Sequence, residues 1–204
     1  MMNHTWIHAG RMAVLAVAVA GAPLAAQKTN LGAQQQSNAS PTAQIARSGA
    51  RPPDVASPQS VLTALYDVIT GPAAQPRDWA RFRSLFLDGA QLTWTQVDPA
   101  SGRSYFFNLS VDEFIRLAGP GYSMGEGFWE REIGHHVDQF GAIAHVFSTY
   151  EMRLAGPKAD VVERGINGVQ LIQHQDRWWI TNLVFDVETP SLPIPSRYLG
   201  NTGG

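Results

Sequence analysis

The apolar positions between residues 58 and 187 follow two periods, helical in the first half and alternating in the second. Val61, Leu65 and Val68, flanked by Leu62, Tyr66 and Ile69, make a helical stripe behind a Ser57-Pro58 start, and Gly71-Pro72 stops it. Asp78 caps a second, shorter helix with Trp79, Phe82 and Phe86 on one face, which Asp88-Gly89 ends. The stretch QLTWTQ alternates as a strand does, DPASG is a turn, and RSYFFNL is a second strand. Ser110 with Glu113 forms a capping box and Leu109 with Phe114 a hydrophobic staple, so a third helix starts there and ends at Gly119-Pro120-Gly121. From Phe128 onward the pattern is of β type in four runs, roughly 128–138, 142–154, 161–174 and 177–187. Helices first and an antiparallel meander last predict an α+β fold.

The flanks have a different composition. Residues 1–27 read as a signal peptide: Arg11 precedes the apolar run MAVLAVAVAGAPLAA, too short to span a bilayer, and small residues near Ala25 and Ala26 suit cleavage. This predicts a Sec-type export signal and a periplasmic or secreted bacterial protein, with no membrane association after cleavage. Residues 28–57 have no aromatic residue and no period, which predicts a disordered linker. The domain is then 58–190, followed by a C-terminal tail at 191–204.

The absence of cysteine removes disulfides, thiolate catalysis and thiolate metal sites. A net charge of −2 with scattered basic residues argues against a nucleic-acid partner.

The stretch GHHVDQFGAIAHVFSTYE, residues 134–151, holds three histidines and two acids, and its hairpin geometry decides whether they converge. VDQFGA has Asp and Gly where a three-residue loop with a bulge needs them, which pairs Asp138 with Ala142. Counting outward, His135 faces His145, Glu132 faces Ser148 and Glu130 faces Tyr150. His135 and His136 then point to opposite sides, and zinc needs three or four ligands, so no metal is expected.

The helices ahead of a bent sheet, the tryptophan strand after an Asp-Gly stop (LDGAQLTW), the FGAIAHVFSTYE hairpin and the late DRWWITNL strand resemble the nuclear transport factor 2-like superfamily, more narrowly its exported bacterial SnoaL-like members. The resemblance covers about residues 58–187. It implies N-terminal helices packed on a strongly curved antiparallel sheet, an open cone with a pocket. It also implies a homodimer through the convex face, no cofactor, and a small hydrophobic or amphipathic molecule as partner. The superfamily includes polyketide cyclases, ketosteroid isomerases, dehydratases and epoxide hydrolases as well as binding domains without chemistry.

On this chain the polar lining falls on Glu130, Glu132, Ser148 and Tyr150 of the hairpin, joined by Trp94, Asn167, Asn182 and Asp186 from other strands. Glu130 or Glu132 would be the general base and Tyr150 a hydrogen-bond donor to a developing oxyanion. Cyclase-like members often carry a histidine on the last strand, where this chain has Asn182. Two functions stand open: a small-molecule-binding domain of the cell envelope, and a cofactor-independent isomerase, cyclase, dehydratase or hydrolase.

Overall fold

The structure, a computed structural model, describes residues 49–98 and 100–200 of the chain. Its helices are α1 (Pro58–Ile69), α2 (Trp79–Ser84) and α3 (Val111–Tyr122). Its strands are β1 (Phe86–Val97), β2 (Ser104–Ser110), β3 (Trp129–Phe140), β4 (Ile143–Arg153), β5 (Val161–His174) and β6 (Arg177–Val187). The strands form one sheet in the order β2-β1-β6-β5-β4-β3. All neighbours are antiparallel except β1 and β6, which run parallel. That pair is the seam where the β1–β2 hairpin, ahead of α3, joins the four-strand meander that follows it. No tight turn links the two strands, so none fixes their direction as antiparallel.

The helix starts follow their capping chemistry. Ser57 Oγ accepts the Ser60 N–H at 3.0 Å ahead of Pro58, and Asp78 accepts the Arg81 N–H at 2.9 Å. Ser110 Oγ accepts the Glu113 N–H at 3.3 Å while Glu113 accepts the Ser110 N–H at 2.9 Å, a complete capping box. The helix ends differ from expectation. α2 stops at Ser84, before Asp88-Gly89, because Phe86 enters the sheet opposite Ile180 and is fully buried there, 4.9 Å from the Phe82 ring. α3 continues through Gly119 and Pro120 to Tyr122. Gly119 serves packing: a Cβ there would stand 3.3 Å from the Trp79 ring.

The helices lie on one face of the sheet. Its central row runs Val146–Val169–Leu183–Leu92 across β4, β5, β6 and β1, with every member 5% exposed or less. Against it pack Val61, Leu62 and Leu65 of α1, Phe82 of α2, and Phe114 and Ile115 of α3. Each such side chain contributes about 1.5–3 kcal/mol by leaving water.

Arg77 then ties the helix ends together. Buried and without a carboxylate partner among the described residues, it donates to the carbonyls of Ile69 (2.7 Å) and Gly71 (2.7 Å) after α1, and to that of Tyr122 (2.5 Å) at the end of α3. Those carbonyls have no intrahelical partner, and a cation suits a helix C-terminus.

Both flanks engage the domain where they are described. Pro52–Val55, within the stretch read as linker, forms a 3₁₀ turn that puts Val55 into the core and buries Asp54 against Arg51 and Arg81. In the stretch read as tail, the Tyr198 carbonyl accepts from Thr149 at 2.7 Å and its ring lies 5.5 Å from Phe147, on the sheet's outer face. The region read as a signal peptide, and residues 28–48 of the linker, lie outside the described residues. No helix among the described residues is long and apolar enough to cross a membrane.

The Arg81 hydrogen bond, offset by desolvation and helped by Arg51, holds the Asp54 carboxyl down to about 2. A depressed carboxyl stabilises the fold above its unfolded value and ceases to do so as pH falls through the folded one. The stability of the wild type should therefore fall between about pH 4 and 2 by about 2 kcal/mol more than that of Asp54→Asn. Urea denaturation across that range checks it; parallel pH curves for the two proteins would refute the assignment.

Candidate functional site

The β3–β4 hairpin closes two residues later than its sequence suggests. Phe140 pairs with Ile143 around Gly141 and Ala142, and Gly141 alone has positive φ (54°), the pattern of a two-residue turn with glycine first. A register shift between Glu132 and Gly134 leaves Ile133 as an extra residue. Glu130 consequently faces Met152, Glu132 faces Tyr150, His135 faces Ser148, and Asp138 faces His145. The expected pairs Glu130–Tyr150, Glu132–Ser148 and His135–His145 are thus corrected. The bulge restores Glu130, Glu132 and His135 to one face, and His145 stands on the other.

Rows of the inner face build the site. One runs through all six strands as His135–Ser148–Asn167–Phe185–Trp94–Phe107. Its last three rings stack at 5.2 Å and 4.8 Å. Two rows further along, Glu130, Met152 and Glu163 cross β3, β4 and β5. Phe114, Tyr122 and Phe128 cover the space from above, and the cavity, open to one side, measures about 140 Å³. A cavity of about 150 Å³ suffices for a benzene-sized molecule. Its walls are mostly apolar, and the polar groups in it include Glu130, Glu163, Tyr150 and Asn167.

The electrostatics of these groups are unusual. Burial first, then the neighbouring Glu163 charge, pushes the Glu130 carboxyl up to about 8, although an Asn167 hydrogen bond opposes this. Burial also raises Glu163, against the hydrogen bond it accepts from the Tyr150 hydroxyl at 3.2 Å. Tyr150 and Tyr122 are raised by burial and then by the Glu130 charge, so both hydroxyls stay protonated. On the outer face Glu151 meets Arg131 at 2.6 Å and also Arg153. Among the described residues neither Glu130 nor Glu163 has such a partner. Two carboxyls without a counter-cation in an apolar space cannot both ionise cheaply, and they titrate as a pair.

Tyr150 reaches Glu163 across Gly165. A Cβ at position 165 would stand 2.5 Å from the Tyr150 hydroxyl and 2.5 Å from the Asp186 carbonyl. Behind the cavity a chain of hydrogen bonds leads outward. Asn167 donates to the Tyr66 hydroxyl (3.1 Å), Tyr66 bonds Ser148 (2.7 Å), and Ser148 donates to Glu132 (2.6 Å). Glu132 also meets Gln59 (3.0 Å) and His135 (3.1 Å). It borders a second cleft with Thr63, Asp67, Thr70 and Arg131, which adjoins the aromatic cavity at Glu130, a residue that lines both.

Of the residues expected to line the pocket, Glu130, Tyr150, Trp94 and Asn167 do so. Glu132 and Ser148 sit behind it in the hydrogen-bonded chain. Asn182 and Asp186 do not reach it. Asn182 faces Gln170 and Gln91 in an outer row, and Asp186 faces Ile166, its carboxylate accepting the Val187 N–H at 2.8 Å. Glu163 was missed, and alternation from Asn167 through Gly165 leads to it. Tyr122 and Phe128 carried no signal, since each lies at the end of an element whose boundary the sequence leaves loose.

Substituting Gly165→Ala forces the Tyr150 ring from Glu163 and should cost about 1–3 kcal/mol, as overpacking does. Chemical denaturation measures it, and a loss within error would show that Tyr150 does not depend on the open space at 165.

No protein-family model matches the chain, and no curated protein matches it. Solved structures of similar fold include an NTF2-like protein of unknown function from Silicibacter pomeroyi, 17% identical over 64% of this chain and 92% of that one, TM-score 0.43. A protein of unknown function with a cystatin-like fold from Nostoc punctiforme is 10% identical over 66% and 90%, TM-score 0.48. A hexachlorocyclohexane dehydrochlorinase is 11% identical over 64% and 82%, TM-score 0.46. These likenesses concern the fold and assign no activity. In helix order, sheet order and covered inner face, the chain has the α+β fold that the resemblance implies, three helices on one face of a six-stranded sheet.

Proposed function

We propose that the cavity binds a small, largely apolar molecule with one polar end, and that Glu130, paired with Glu163, gives that end a proton or takes one from it. The observation that carries this reading is the carboxyl pair in an aromatic cavity with no cation among the described residues to neutralise it. A carboxyl at about 8 exchanges its proton near neutral pH, the range in which acid–base catalysis is most effective. Tyr150 and Asn167 supply donors beside it. Such a site suits a cofactor-independent isomerase, cyclase, dehydratase or hydrolase, with Glu130 in the role of acid or base and Glu132 outside the reacting space.

Native mass spectrometry of protein purified from its host would identify the molecule it carries. With that molecule as substrate, Glu130→Gln, which keeps the shape and removes the titrating group, should reduce turnover by about 10²–10⁴-fold and change affinity little. Unchanged turnover in Glu130→Gln would remove Glu130 from the chemistry.

Export and pairing belong to the same proposal. The apolar N-terminal run with its small-residue end supports export to the periplasm or beyond. Phe140, Ile143 and Ile172, exposed side by side on the outer face, support a homodimer through it. Light scattering at tens of micromolar should give twice the mass of the mature chain; a monomer mass would refute pairing.

A further inference from the structure

We propose that the molecule this cavity takes is a small organic cation, an ammonium group on an aromatic or aliphatic body, held between Glu130 and Glu163 with its body against the stacked rings. The inference rests on the pocket reading above and adds the charge of the ligand.

Shape and charge point the same way. The cavity floor is the stacked ladder of Phe107, Trp94 and Phe185, and Phe114, Tyr122 and Phe128 face it from the other side. Stacked as they are, Phe107, Trp94 and Phe185 turn their faces to one another and their edges to the cavity, so the floor suits the apolar body and the attraction for a cation rests on the carboxyls. At one end of this box stand the two carboxyls, on strands separated by β4 and with the buried Met152 between them in the row, so their backbones are roughly 10 Å apart and a group lying over Met152 can reach both. The cavity lining contains no lysine, arginine or histidine.

The groups around Glu130 are Tyr66 of α1, Tyr122 of α3, Tyr150 of β4 and Glu163 of β5, with Asp67 of α1 and Glu132 in the adjoining cleft, all neutral or acidic. Arg131, on the adjoining cleft, is engaged by Glu151 on the outer face. An anionic ligand would meet the negative charge that the pair carries. An ammonium supplies both the charge and the donors that the pair lacks.

Binding is then an exchange. Below about 8 Glu130 holds a proton; the ammonium enters with its own protons, Glu130 ionises, and the displaced proton leaves to solvent. Affinity for a cation should accordingly rise as pH rises toward about 8, while that for a neutral isostere should not.

The full mature chain is titrated by calorimetry with benzylammonium and with benzyl alcohol, which match in shape and differ in charge. The expected result is a preference for benzylammonium of about tenfold or more, growing from pH 6 to 8 and accompanied by proton release. In Glu163→Gln one carboxyl remains and ionises at lower pH, so the preference should shrink several-fold and its growth between pH 6 and 8 should flatten, a readout that simple loss of stability would not produce. Equal or tighter binding of benzyl alcohol overturns the inference and leaves the pocket reading in place. Failure of both probes to bind at millimolar concentration overturns both.

Discussion

One sheet with only three short helices to cover it must bury its inner face or lose the core, and the rest of the structure follows from how that face is closed. The Val146–Val169–Leu183–Leu92 row is sealed by α1, α2 and α3 together. Arg77 fixes where two of those helices end by gathering their last carbonyls. A buried arginine is costly unless its donors are met, and this one meets several. From the Leu183–Leu92 end of that row, which lines the cavity, the same face continues into rows carrying Asn167, Tyr150, Glu130 and Glu163, and there the aromatic cavity remains.

The cavity therefore inherits a particular electrostatic condition. Glu151 on the outer face is neutralised by arginines, whereas Glu130 and Glu163 on the inner face have only neutral donors. Burying such a pair opposes folding, since its charged form has lost water and gained no cation. Apolar replacements at those positions would stabilise the protein. Groups that raise the energy of a fold without packing it are where a ligand has something to contribute, and the pairing of acid groups with stacked rings restricts what that ligand can be.

Much of this was legible in the chain, because local signals decided it. Ser57-Pro58, Asp78 and the Ser110–Glu113 box start helices where they say, and the four late β runs match the strands to within about two residues at each end. What failed was set by distant partners. Phe86 left its helix because Ile180 and Phe82 bury it. The hairpin register depended on where the turn closes, which set the fate of His135 and His145, and a bulge at Ile133 that no turn residue announces then shifted Glu132 and Glu130. Asn182 and Asp186 were placed on the wrong face because β6 turns inward only at its odd positions over 183–187. Glu163 could have been counted from Asn167, but the significance of a carboxyl there appears only once Glu130 stands across the same row.

The central claim is that Glu130 lies in the aromatic cavity as an uncompensated acid. Its most direct test is a carboxyl titration by ¹³C NMR on protein labelled at glutamate, with Glu130→Gln assigning the signal. The account predicts that the Glu130 resonance titrates with a midpoint near about 8, and that Glu163→Gln lowers it by removing the neighbouring charge. A Glu130 midpoint in the ordinary carboxylate range, near about 4.5, unchanged in Glu163→Gln, would contradict it.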